Sequence, residues 1–301
     1  MRATTPMTLL MNGALATAAP TVGVQPYALL RGALAERLER GEVELPLPPR
    51  VATEILSLTR DDDADVGRLA KLLHQDPALA GHVLRIANSP AYLPRSPIVS
   101  LQQAVTHLGF TLLSEIALVA SMQSGVFKVP GHESDLRGIW QHALASGGFA
   151  REIARKLRSN VESAFLCGLL HTIGKPLVLQ TSVTEARKLG VPASRDDVRL
   201  LIEQFHVQAG GLLAKSWGLP GAVCDAIASY ASYSSGTSGP REPVITALAD
   251  RLASHLIDKE TDDAAVRAHR SWVDLNLYPE DADDLLARAD GVRALVESML
   301  L

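Results

Sequence analysis

The stretch Ser163 to Lys175, S-A-F-L-C-G-L-L-H-T-I-G-K, decides the fold class. Its apolar residues recur at intervals of three and four, which predicts a helix that is buried around most of its circumference. Asn160 is placed to cap the start of this helix, and Gly174 is expected to end it in the left-handed conformation. His171 and Thr172 therefore fall on the last turn, where a buried helix can present polar groups to a cleft.

The composition extends this helical pattern to the whole chain. Hydrophobic residues make up 47% of the 301 residues, whereas aromatic residues make up only 4%. Leu and Ala recur at helical spacing and no run alternates with period two, so we expect an all-α protein with two helical lobes. The predicted units are an N-terminal arm with a first helix (1–44), an N-terminal helical lobe (45–130), a second helical lobe (131–257) and an acidic C-terminal helical tail (258–301). Within the second lobe, Ser194 is expected to cap one helix, and a separate helix is expected from His206 to Trp217.

The charge balance argues against nucleic acid as a partner. The net charge is -4 and the pI is about 6.1, so the surface has no general attraction for polyanions. One basic cluster comprises Arg151, Arg155, Lys156 and Arg158. Because these residues fall at the end of a predicted helix, we expect them to complement the helix dipole and to face water.

The remaining bulk features indicate a cytoplasmic protein. No run approaches 18 apolar residues, so we expect no membrane span. Cys167 and Cys224 follow no metal-binding spacing and lie in apolar helical stretches, which predicts buried thiols in a reducing compartment.

Four polar residues stand where apolar helices offer their ends: His142, His171, His206 and Asp250. Imidazole and carboxylate groups together are ligands of hydrolytic divalent-metal sites. The alternative is a buried polar network in which the imidazoles bond to Asp250 and Lys175 satisfies the carboxylate. Both interpretations stay open on the sequence.

These residues resemble a known superfamily. His142, the run L-L-H-T-I-G-K and Asp250 in A-L-A-D-R-L-A resemble the HD metal-dependent phosphohydrolases, whose ligands are a His, a His-Asp doublet and a later Asp. The front half resembles a narrower group, the HDOD domain of bacterial signalling proteins. That resemblance covers roughly residues 45–257 and rests on the segments L-P-L-P-P-R-V-A (45–52), D-P-A-L-A (76–80), R-I-A-N-S-P-A-Y (85–92) and I-V-S-L-Q-Q-A-V (98–105).

The chain departs from the superfamily pattern at the doublet. Thr172 stands where the Asp ligand is expected, and a neutral hydroxyl is a poor ligand for a hard dication. The segment I-A-S-Y-A-S at 227–232 stands where metal-active relatives carry paired histidines, and it contains none. The resemblance therefore implies a catalytically silent relative.

The resemblance implies a non-catalytic module of bacterial signal transduction, and we expect it to contact other signalling proteins in trans. The candidate vestigial pocket comprises His142, His171, Thr172, Lys175, His206 and Asp250. We expect no cofactor. The alternative is a weak single-metal phosphohydrolase of nucleotides or phosphoesters, with one divalent metal held by His142, His171 and Asp250.

Overall fold

The fold is helical throughout the described residues. The computed structural model describes residues 25–58, 66–92, 94–233, 240–257 and 262–300, so most of the predicted N-terminal arm lies outside it. In these ranges the regular elements are α-helices, which confirms the all-α prediction. They are α1 (Pro26–Arg40), α2 (Arg50–Leu58), α3 (Val66–His74), α4 (Pro77–Ala87), α5 (Leu101–Leu108), α6 (Phe110–Gln123), α7 (Glu133–Leu157), α8 (Val161–Leu170), α9 (Gly174–Leu189), α10 (Arg195–Ser216), α11 (Gly221–Ser229), α12 (Glu242–Ile257), α13 (Asp263–Arg267), α14 (Ser271–Asp274), α15 (Pro279–Leu286) and α16 (Ala289–Met299).

Side-chain caps set the starts of the helices that carry the candidate site. The Asn160 Oδ1 atom accepts a hydrogen bond from the Ser163 N–H at 2.8 Å, which satisfies a free amide in the first turn of α8. Ser194 Oγ accepts the Asp197 N–H at 3.1 Å at the start of α10. Both predicted caps are confirmed.

The helices form a front group, α2 to α6, and a rear group, α7 to α12. In the front group α2 and α4 pack on α6, whereas in the rear group α7 packs on α8 and α12, and α9 packs on α10. One continuous apolar core runs through both groups, and a smaller second cluster comprises Val129, Leu179 and Val198. The predicted lobe boundaries, 45–130 and 131–257, stay a prediction because a shared core does not mark them.

Gly174 has a different role from the one predicted. It begins α9 with ordinary backbone angles and does not end α8 in the left-handed region. A Cβ atom at this position would lie 1.9 Å from the His206 carbonyl oxygen and 2.5 Å from the Gly210 nitrogen. Glycine is therefore required because the backbones of α9 and α10 touch here, and the helix-ending interpretation is wrong.

The expected break before His206 is also wrong. Helix α10 continues without interruption from Arg195 to Ser216, and His206 lies near its middle. The buried residues of α10 follow one another at intervals of three and four through this point, so the apolar stripe is continuous: Val198, Leu201, Phe205, Ala209 and Leu213.

The described part of the tail forms the helices α13 to α16, and the last of them is docked on the body of the protein. Helix α16 buries Val292, Val296 and Met299 and packs on α6 and α7. The Gln123 Nε2 atom donates a hydrogen bond to the Met299 carbonyl oxygen at 3.0 Å. The tail therefore belongs to the packed structure.

The basic cluster does not face water as a unit. The Arg151 side chain is only 12% exposed and forms an ion pair with Glu115 of α6. Lys156 Nζ binds Asp281 Oδ1 at 2.9 Å and Asp284 Oδ2 at 2.7 Å in the tail. The solvent-facing prediction fails for these two residues because tertiary partners, absent from the local sequence, supply acidic groups.

No helix of the described ranges combines the length and the apolar content needed to cross a membrane.

Candidate functional site

Three of the predicted site residues meet at one point. His142 lies on α7, His171 follows the end of α8, and Asp250 lies on α12. The Nε2 atoms of His142 and His171 lie 2.8 and 3.0 Å from the same Asp250 oxygen, Oδ1. We call this group the His-Asp cluster. Its three potential ligand atoms all lie within 4.8 Å of one another.

The orientation of the His171 ring is fixed from behind. Its Nδ1 atom donates to the Gly168 carbonyl oxygen at 2.7 Å, because a carbonyl oxygen can only accept. A neutral ring then has a lone pair on Nε2, and that lone pair points at the Asp250 carboxylate. The contact requires either a second proton on His171 or a cation between the two atoms. A backbone carbonyl behind the ring is also how metal-binding histidines are commonly oriented.

The charges in the cluster are strongly coupled. Burial acts to raise the pKa of Asp250, but the hydrogen bonds from His142 and His171 hold that pKa well below its usual value. For His142 the balance is opposite, since burial lowers the pKa more than the bond to Asp250 raises it. The cluster therefore holds one carboxylate charge beside a mainly neutral His142 imidazole.

His206 lies outside this cluster. Its Nδ1 atom donates to the Ile202 carbonyl oxygen at 2.8 Å, and its Nε2 atom accepts the Tyr230 hydroxyl proton at 2.7 Å. Both ring nitrogens are therefore occupied by protein groups. Tyr230 links His206 to the cluster, since its ring meets the His171 ring edge-on with the centroids 4.5 Å apart.

The sequence interpretation missed Tyr230 and Gly168. Tyr230 lies in the I-A-S-Y-A-S segment, which drew attention only for its lack of histidine. Its role depends on α11 meeting α8 and α10, and no spacing in the chain encodes that meeting. Gly168 contributes only a backbone carbonyl, so its residue type carries no signal.

Lys175 and Thr172 complete the predicted set. Thr172 is buried and adds no charge. Lys175 lines a cleft of about 470 Å³ together with His142, between α7, α9 and α10. Burial lowers the pKa of Lys175, although Asp250 and Glu203 oppose the shift. Asp250 accepts hydrogen bonds from the two histidines. Lys175 interacts with the Asp250 carboxylate through its charge.

This cleft reaches the His-Asp cluster at His142. Its walls are apolar where Ile139, Leu179 and Ile202 line it. The lining also contains basic and acidic side chains: Lys175, Arg195, Arg199, Asp135 and Asp196. A cleft that is mostly apolar, with a few charged groups, has the make-up of a small-molecule site.

The donor set fits one divalent cation. Two imidazole nitrogens and a carboxylate oxygen are suitable ligands, and the bond from His171 Nδ1 to Gly168 turns Nε2 toward Asp250, where it could coordinate an ion. The set does not fit a pair of cations, because the one metal-competent group found in the described residues contains a single carboxylate. Two dications held close together need bridging anions.

Comparison with known proteins identifies the family of the chain. The HDOD domain family matches this chain over residues 45–233, which is more than half of it, so the chain belongs to the HDOD domain family. A crystal structure of an HDOD domain protein of unknown function from Geobacter sulfurreducens is 25% identical, with a TM-score of 0.69 over 90% of this chain and 98% of that one. The protein thus has the all-α fold of HD-related modules.

Two further solved structures are similar to this chain. A provisionally assigned signal transduction protein of Marinobacter aquaeolei VT8 is 26% identical, with a TM-score of 0.63 over 93% of this chain and 67% of that one. A provisionally assigned metal-dependent phosphohydrolase of Shewanella amazonensis SB2B is 20% identical, with a TM-score of 0.68 over 91% and 99% of the two chains, and shows the fold alone.

The match to an uncharacterized protein of Treponema pallidum (strain Nichols) is partial. It is 21% identical over 242 residues, which span 77% of this chain but only 45% of that protein. The chain therefore spans less than half the length of this curated relative.

Proposed function

We propose that this protein is a non-catalytic regulatory module of bacterial signal transduction, in which the His-Asp cluster and its cleft hold a ligand or a structural network. Its surfaces contact other signalling proteins in trans. The protein acts in this proposal by binding, and its HD-related site does not turn over a substrate.

The observation that carries the proposal is the charge of the site. The cluster contains one carboxylate, Asp250, and the residue that follows His171 in the chain is the neutral Thr172. Phosphoester hydrolysis by a metal pair needs anions that hold both ions and a water activated between them. His206, which could have added a ligand, is bonded to Tyr230. Membership of the HDOD domain family and the signalling relative support the same conclusion.

Hydrolysis assays on the full chain test the proposal. We expect no turnover of cyclic dinucleotides or p-nitrophenyl phosphate with Mn²⁺, Mg²⁺, Fe²⁺ or Ni²⁺. Thr172→Asp would add a buried carboxylate next to the cluster, and we expect it to leave turnover absent while it lowers stability, because the second carboxylate has no cation in the metal-free protein. Metal-dependent turnover that His171→Ala abolishes would overturn the proposal.

A second candidate function is a single-metal phosphohydrolase of nucleotides or phosphoesters. The observation in its favour is the His171 ring, whose Nε2 atom is aimed at Asp250 while Nδ1 is bonded to Gly168. His142, His171 and Asp250 would hold the ion, which would supply Lewis-acid activation when bound. Lys175 and the arginines that line the cleft would attract a phosphate group.

Metal titration separates the two candidates. Calorimetry with Mn²⁺ should give at most one equivalent, and Asp250→Asn should remove it. Binding of one ion without turnover supports a regulatory site. Binding together with turnover supports the enzyme.

A further inference from the structure

A second cleft lies at the junction of the loop after α4, helix α7 and the tail helix α16. It has a volume of about 260 Å³ and is lined by side chains from all three segments, among them Tyr92, Arg151, Arg288, Val292 and Leu295. None of its lining residues lines the cleft of the His-Asp cluster. Arg151 and His142 are nine residues apart on α7, which places them about 13 Å apart along the helix axis. We call this second site the junction cleft.

Two guanidinium groups give the junction cleft a positive character. Arg151 is held in place by its ion pair with the buried Glu115 and by the Phe165 ring, whose centroid lies 4.5 Å from the guanidinium carbon. A guanidinium has five N–H donors, so the pair with Glu115 leaves donors available. Arg288 forms no ion pair within the described ranges. The carboxylate that lines the cleft, Glu152, is engaged by Arg155 at 2.6 Å.

Tyr92 forms part of the cleft wall, but its hydroxyl lies inside the protein. The Tyr92 oxygen is buried, and its hydrogen-bonding neighbour is Ser298. The Ser298 hydroxyl donates to the Leu295 carbonyl oxygen at 2.8 Å, so the Ser298 oxygen is able to accept the Tyr92 proton. Burial raises the pKa of Tyr92 to about 12, so this hydroxyl stays neutral. The charge that a ligand meets in the cleft therefore comes from the two guanidinium groups.

The walls limit the size of the ligand. Val292 and Leu295 of α16 and the backbone at Gly148 make one side of the cleft apolar. A Cβ atom at Gly148 would lie 3.1 Å from Val292 Cγ1, so α16 fits closely against α7 here. The volume lies below the range of about 300–1,000 Å³ typical of drug-sized ligands. The cleft suits a small metabolite.

We propose that the junction cleft binds a small organic anion, a carboxylate or phosphate with a short apolar body, whose charge is received by Arg151 and Arg288. The planar guanidinium matches both kinds of anion by paired N–H donors. The bound anion would link the loop after α4 and the tail helix α16 to α7. This site is independent of the His-Asp cluster and of any metal.

Calorimetry on the metal-free full chain with butyrate, methyl phosphate and the neutral butyramide tests the inference. We expect butyrate or methyl phosphate to bind and to raise the unfolding temperature, since a ligand of the folded state stabilises it. The tighter of the two anions identifies the carboxylate or the phosphate as the recognised group. Butyramide that binds as well as butyrate, or no anion binding at about 10 mM, would overturn the proposal.

Two variants locate the site. Arg288→Gln should weaken anion binding about tenfold, because a charge-assisted bond is lost from an exposed residue without a structural partner. The control is Arg293→Gln, an exposed arginine of α16 paired with Asp290 at 2.6 Å and absent from the cleft lining, which should bind as the unmodified chain does. Equal loss in Arg288→Gln and Arg293→Gln would refute a defined site.

Discussion

Helix α7 carries two buried polar contacts that behave in opposite ways. Through His142 it meets Asp250 of α12, and through Arg151 it meets Glu115 of α6. The pKa of Asp250 is held well below its usual value, whereas burial raises the pKa of Glu115 to about 7 despite the neighbouring Arg151. Both carboxylates lie in contact with a basic side chain, so the presence of a partner alone does not explain the difference.

The difference follows from the number of donors and from access to water. Asp250 receives hydrogen bonds from two imidazoles, and 29% of its side chain is exposed. Glu115 has one guanidinium partner and is 8% exposed, so desolvation of the charged form outweighs the attraction. The region around Asp250 is therefore able to hold charge, as a ligand-binding site must. Glu115 joins the front and rear helix groups through its ion pair with Arg151, and burial raises its pKa so far that the carboxyl is only partly charged near pH 7.

The largest loss of stability is expected from Gly174→Ala, which would disturb the contact between α9 and α10 beside His206. The added methyl group would collide with the backbone at His206 and Gly210, which cannot move without separating α9 from α10. We expect a loss of about 3–5 kcal/mol in the free energy of unfolding, measured by urea denaturation.

The matched control for this variant is Gly211→Ala. Gly211 lies inside α10, and a Cβ atom there would meet nothing within 4 Å. Because alanine is the better helix former, this variant should gain about 0.5–1 kcal/mol. Equal effects of the two substitutions would mean that α9 and α10 are not in backbone contact.

The unfolding free energies of Asp250→Asn and Glu115→Gln, measured near pH 7, compare the two carboxylates directly. Asp250→Asn removes a charged acceptor from two histidines, and we expect a loss of about 2–3 kcal/mol. Glu115→Gln should cost only about 1 kcal/mol, because the native carboxyl is already partly protonated at this pH. A larger cost for Glu115→Gln would reverse our ranking of the two sites.

The pH dependence of stability sharpens the same contrast. The pKa of Glu115 rises from 4.5 to about 7 on folding, so the folded state binds more protons between these values. Stability from this group is fully present below the unfolded pKa and is lost as the pH rises through 7. Relative to Glu115→Gln, the unmodified chain should lose about 2 kcal/mol between pH 5 and 8.

Thermal unfolding of both chains across this pH range measures the effect. Asp250 should not contribute in this window, because its lowered pKa places its own loss of stability at more acidic pH. Parallel pH profiles for the unmodified chain and Glu115→Gln would show that Glu115 is ionised throughout.

A small effect is expected from Tyr230→Phe. The substitution removes the hydroxyl that donates to His206 Nε2 and keeps the ring that packs on His171. We expect a loss of about 1 kcal/mol in unfolding free energy, with Mn²⁺ affinity unchanged. A marked fall in Mn²⁺ affinity would place His206 in the same functional unit as Asp250.

The helical class and several members of the candidate site could be predicted from the sequence. Leu and Ala at helical spacing require helices because only that period places them on one face, and Asn160 and Ser194 cap helices through bonds to amides three residues away. His142, His171 and Asp250 were found together because residue type limits which groups can bind a metal or share a proton.

The partners that these residues contact depend on the tertiary structure. His206 belongs with Tyr230, Gly174 serves a backbone contact, and Arg151 is buried against Glu115, each through a partner 24 to 36 residues away in the chain. Local spacing cannot encode such partners, because they depend on which helix faces pack together. The same holds for the pKa values of Asp250 and Glu115, since burial and the number of donors are set by the assembled helices.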